Sequence, residues 1–114
     1  MRLGLGLGRG GGWKGYVAWA RERGFQTFWD LGGNAGESFS KRIQQMMDAA
    51  NEIHFNLEGV DAKQRSGKLT PSGEPAEGYT NYELYLIETN PAYRNKTVWH
   101  KGEQTMPPGF DPFR

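Results

Sequence analysis

The sequence predicts a small single domain of the α/β or α+β class, a small sheet of two or more strands packed by about three helices. Three observations carry this. Glu52-Ile53-His54-Phe55-Asn56-Leu57-Glu58-Gly59 alternates apolar and polar residues and ends on a breaker, as a strand does. Thr80-Asn81-Tyr82-Glu83-Leu84 opens a helix that Asn90-Pro91 closes. Lys96-Thr97-Val98-Trp99-His100-Lys101-Gly102 reads as a second strand.

Taken in order, residues 1–12 are expected to be a flexible segment, because glycine at this density costs much backbone entropy to fix. A phosphate-binding loop is not expected there, since no strand is predicted before it and no Lys-Ser/Thr pair follows. The core is placed at 13–102. Trp13, Tyr16, Val17 and Ala20 share one face of a helix over 13–23, which Gly24 ends. Phe25 to Leu31 is a short strand or an irregular packing segment, and Gly32-Gly33-Asn34 a turn.

Residues 38–51 predict the clearest helix, with Phe39, Ile43, Met46, Met47 and Ala50 as its core stripe and Ser38 as its N-cap. In the strand 53–57, Ile53, Phe55 and Leu57 face the core, and His54 and Asn56 face outward. The 59–78 segment has no periodicity and is expected to be a mobile loop. Thr80 and Glu83 predict a capping box at the start of a helix running to Thr89. In strand 97–101, Thr97, Trp99 and Lys101 share one face, and Val98 and His100 the other. A strand, a crossover helix and a strand favour parallel pairing if the two strands are neighbours. Residues 103–114 form a proline-rich tail expected to lie over the core through Phe110 and Phe113.

Composition narrows the function classes. The 114 residues carry a formal net charge of +1, without the basic excess of a dedicated nucleic-acid binder. There is no cysteine, hence no disulfide, thiolate metal site or cysteine nucleophile. No apolar run reaches the length of a membrane span, and the N-terminal apolar part is too short for a signal peptide. No carboxylate spacing among Glu52, Glu58, Asp61, Glu83 and Glu88 is diagnostic of a metal, and no cofactor is expected.

The ordered set Ala50, Ile53, Phe55-Asn56-Leu57 and Gly59, then Thr80, Glu83-Leu84, Ile87 and Asn90-Pro91, then Lys96-Thr97 and Gly102 resembles the C-terminal domains of RHS-repeat-associated bacterial polymorphic toxins. It spans about residues 37–102. The resemblance implies a toxin effector domain, secreted or delivered into a target-cell cytoplasm and matched by a cognate immunity protein. It implies no catalytic residues, and the histidines do not carry it.

The chemistry must come from the residues. Metal-independent RNA cleavage needs a base, an acid and a cation near the phosphate. The two histidines, His54 and His100, titrate near neutrality and sit one per strand. Lys101 would supply the cation. Asn56, Lys96, Thr97 and Tyr79 are the candidate substrate contacts, Tyr79 by stacking on a base. Each has a plainer reading. The histidines would be solvent-facing strand residues, and Asn56 an amide tying down a turn. Lys96 and Thr97 would be ordinary strand openers. Lys63, Arg65 and Lys68 form a local basic stretch that would follow a nucleic-acid backbone or simply be solvated. The alternative to a small nuclease is a non-enzymatic protein-binding or structural module of a larger secreted protein, with Trp13, Trp19, Trp29 and Trp99 available to an interface.

Overall fold

The computed structural model describes residues 1–8, 15–33 and 38–114. The sheet has four strands in the order β1 (Arg2–Gly6), β2 (Glu52–Asn56), β3 (Thr97–Lys101) and β4 (Gln104–Thr105). The first three are parallel and β4 is antiparallel, so the sheet is mixed. Four helices accompany it among the described residues: α1 (Tyr16–Glu22), α2 (Phe39–Ala49), α3 (Tyr79–Thr89) and the one-turn α4 (Pro91–Arg94). The domain is α+β, and β2 and β3 are parallel neighbours across the α3 crossover.

The expectation of a flexible N-terminus is corrected for Arg2–Gly6. Leu3 and Leu5 pair in register with Ile53 and Phe55 and are buried with them. The alternating glycines face the other way and let α1 approach. A Cβ on Gly4 would lie 2.7 Å from the Ala20 Cβ, and one on Gly6 2.6 Å from the Tyr16 Cβ. Packing thus outweighs the entropy cost that glycine imposes on a strand. One ground against a phosphate loop also falls, since a strand does precede the glycines. The Lys-Ser/Thr pair is still missing, and residues 9–14, including Trp13, lie outside the described residues.

One face of the sheet carries Leu3, Leu5, Ile53, Phe55 and Trp99, which form the main core with Phe39, Ile43 and Met47 of α2 and Tyr82, Leu84 and Ile87 of α3. The opposite face carries Gly4, Gly6, His54, Asn56 and His100, under a second cluster of Trp19, Ala20 and Phe25. Gln26 bridges to the free edge of β1: Gly4 donates to its carbonyl at 2.8 Å, and its own amide donates to Arg2 at 2.8 Å.

Two expected caps are absent. Ser38 is left-handed at φ 63° and makes no capping hydrogen bond, because the serine cap needs extended backbone to reach the next amides. The Thr80–Glu83 capping box does not form either. Gly78, at φ 109°, takes the cap position and α3 begins at Tyr79, so Thr80 is already helical and Glu83 sits a full turn inside. Asn90 does cap α4, accepting from the Ala92 amide at 2.9 Å.

The loop expected to be mobile is tied by its own backbone, Thr70 to Glu74 at 2.7 Å and Ala76 to Lys68 at 2.9 Å. Arg65 and Lys68, two of its three basic residues, are paired. Arg65 binds Glu88 and lies 5.0 Å from the Phe113 ring, and Lys68 is 3.5 Å from Glu77. Phe110 and Phe113 pack against the main core. No helix among the described residues is long and apolar enough to cross a membrane.

Candidate functional site

The parallel register brings the two histidines together. His54 lies opposite Val98 and Asn56 opposite His100, so His54 and His100 are diagonal neighbours on one face. His54 Nδ1 is 2.9 Å from His100 Nε2, and His54 Nε2 is 2.9 Å from Glu52 Oε1. His100 Nδ1 is 3.3 Å from the Thr105 hydroxyl. All four ring nitrogens are therefore engaged. The expectation that these rings face solvent is corrected, because α1 and Phe25 cover them. His54 is 7 % exposed and His100 5 %. Phe25 stacks on His54 with centroids 3.9 Å apart, and Trp19 meets His100 edge-on at 5.0 Å. Burial, helped by His54 and Arg23 nearby, pushes the His100 pKa down to about 4 and keeps the ring neutral.

The other candidates are scattered. Asn56 Oδ1 accepts from the Glu58 amide and the Gly102 amide, both at 3.0 Å, and so locks the turns that leave β2 and β3. Lys96 Nζ donates to the Ala50 carbonyl at 2.7 Å, capping α2, and the Thr97 hydroxyl donates to Tyr93 at 2.7 Å. Those two sit at the opposite end of β3 from Lys101, about 13 Å away by strand rise. Lys101 is exposed and lines a cleft of about 700 Å³ with Trp19, Glu22, Asn56, Glu58 and Glu103. Tyr79 stands elsewhere again, stacked on Phe39 at 4.2 Å and donating to Glu74 at 2.6 Å.

Tyr79 belongs to a larger cleft of about 790 Å³, and its position follows from the topology. From β1 the chain passes through α1 to Gln26 on one edge, then through α2 to β2 on the other. The order reverses at β1, and open parallel sheets bind ligands in the crevice at the carboxyl end of such a strand. Gly6, Leu7 and Gly8 of this end form the floor, with Tyr16, Phe28, Trp29, Phe39 and Tyr79 around it. Thr80 ties α3 to the strand by donating to the Gly6 carbonyl at 3.3 Å.

Glu83 lines this cleft. It is 6 % exposed, and its carboxyl has no hydrogen-bond or ion-pair partner among the described residues. Desolvation alone pushes its pKa up to about 8, so the group is a neutral acid at pH 7. A buried acid in an aromatic cleft is the arrangement by which a carboxyl group is kept ready to donate a proton. Sequence reasoning missed it, having given Glu83 to a cap. The signal was present: Glu83 falls on the helix stripe of Leu86 and Ile87, where an acid has no solvation.

Among the described residues no group of three or more His, Asp or Glu is placed to hold a metal ion. No protein-family model matches the chain, and no curated protein or solved structure is significantly similar to it.

Proposed function

We propose that this chain is an effector domain of the toxin class that works as a hydrolase on a nucleotide-containing target, RNA first, cleaving the bond between base and sugar in the β1 crevice, with Glu83 giving its proton to the departing base while water adds to the sugar carbon. The observation that carries the reading is Glu83 itself, buried, without a hydrogen-bond or ion-pair partner among the described residues, and facing a cleft large enough for a small ligand. A charged or unpaired acid in such a place costs stability, and folds retain such groups chiefly where they do chemistry. The toxin role is supported by the ordered motif set of the sequence. In this reading the chemistry leaves the histidines. With both rings covered and all their nitrogens engaged, neither reaches a substrate. A cognate immunity protein would act by closing the crevice. The non-enzymatic module draws less support, because Trp19 and Trp99, two of the residues that an interface would use, are buried.

The test is growth after tightly induced expression in bacteria. Wild type should arrest growth and degrade or modify RNA on total-nucleic-acid gels. Glu83→Gln, nearly isosteric, should be soluble and folded and should lose at least 100-fold in activity, the usual scale for a general acid. Normal growth with soluble wild-type protein, or a fully active Glu83→Gln, overturns the proposal.

A further inference from the structure

We propose that the β1 crevice binds an uncharged planar heteroaromatic ring, a nucleobase, held against the aromatic walls with the Glu83 carboxyl group hydrogen-bonded to a ring nitrogen. The inference deepens the function proposed above and rests on the same site. Three features carry it.

The first is shape. Tyr16, Phe28, Trp29, Phe39 and Tyr79 line the cleft, and rings of this kind take up a flat π-system. The second is charge. The described lining contains no lysine or arginine, so nothing in it calls for a phosphate. Its two outer carboxylates are already engaged. Glu74 accepts from the Tyr79 hydroxyl at 2.6 Å and from the Phe39 amide at 3.4 Å, and Glu77 lies 3.5 Å from Lys68. A cation therefore finds no unengaged carboxylate waiting for it, and a neutral ring fits better.

The third feature is the donor. Held as an acid, the Glu83 carboxyl offers one O–H to a desolvated space and needs an acceptor there. Unprotonated ring nitrogens of a purine are such acceptors. The phosphates of a nucleotide would then lie outside the cleft. Three ionisable groups around the cleft shift away from this range. Tyr16, from α1, is pushed to a higher pKa by burial. Asp30 is held low by Arg21, and Glu77 low by Ser66 and Lys68.

Calorimetric titration with adenosine tests this, at pH 6.5 and pH 9. Binding should weaken about tenfold at the higher pH, as the fraction of acid form falls. Glu83→Gln keeps an N–H donor, so its affinity should stay within about threefold and become independent of pH. A short single-stranded oligoribonucleotide separates the sources of the base. Tighter binding than adenosine assigns the base to RNA, and equal binding assigns it to a free nucleoside. Failure of both ligands to bind folded wild-type protein overturns the inference, as does tighter binding of N-methylpyridinium that strengthens with pH. Glu83→Gln activity is scored separately, so loss of activity without nucleobase binding sinks this inference and leaves the proton-donor reading standing.

Discussion

Glu83 and His100 are both ionisable groups that the fold holds neutral, and the two affect stability in opposite senses. For Glu83 the folded pKa, about 8, lies above the ordinary 4.5, so the native state binds the proton more tightly than the unfolded chain. Stability therefore falls as pH rises through that window and levels off above it. His100 is lowered from 6.5 to about 4, so the native state excludes a proton that the unfolded chain accepts. Its share of stability is present above pH 6.5 and is lost as pH falls toward 4. Glu83→Gln removes the first dependence and leaves the second. Urea unfolding should show wild type and variant nearly equal at pH 5. The variant should be more stable at pH 8.5 by something on the order of 3–5 kcal/mol. Parallel stability curves for the two proteins would show that Glu83 ionises in the fold as it does in water. The His100 effect was not legible in the sequence, because burial of the histidines depends on α1, a separate element. The Glu83 effect was legible in the stripe it shares with Leu86 and Ile87, and the capping-box spacing hid it.

At the scale of elements, the approach of α1 to β1 rests on absent side chains. Gly4 and Gly6 leave no room for a methyl group, and the atoms in the way, the Ala20 and Tyr16 Cβ atoms, cannot swing aside. Gly4→Ala should therefore cost roughly 1–3 kcal/mol by overpacking. Gly8→Ala, whose Cβ would sit at an ordinary 3.7 Å from Tyr16, should change stability by under about 0.5 kcal/mol. Thermal melts of the two variants decide it, and equal shifts would mean that α1 is not held by this contact. The same strand shows what sequence reading caught and lost. β2 and β3 were legible because their alternation is between apolar and polar residues. In Leu3-Gly4-Leu5-Gly6 the period of two is equally regular, but half of it is glycine, which local propensity reads as disorder. The α3 boundary slipped for a related reason. A Thr-x-x-Glu spacing is a cap only if the threonine backbone is extended, and the glycine two residues earlier took that place.

Across the whole molecule, the last twelve residues close what the parallel strands leave open. Gln104–Thr105 pairs with the outer edge of β3, and the Thr105 hydroxyl meets His100 at 3.3 Å. Beyond it, Met106, Phe110 and Phe113 pack on the main core. Phe113 meets Trp99 edge-on at 5.5 Å and carries Arg65 on its ring at 5.0 Å, which joins the tail to the 59–78 loop. A 114-residue domain has little apolar surface in reserve, so losing this cover should be felt globally. Phe113→Ala removes a half-buried ring and should cost about 1–2 kcal/mol, less than the 3–5 typical of a fully buried phenylalanine. It should also raise the proteolytic sensitivity of the 59–78 loop, because Arg65 loses its contact with the tail while keeping Glu88 and the Ala62 carbonyl. The measurements are a urea melt followed by tryptophan fluorescence and limited trypsin digestion at Arg65. An unchanged melting profile together with an unchanged cleavage rate would show that the tail lies on the core without stabilising it.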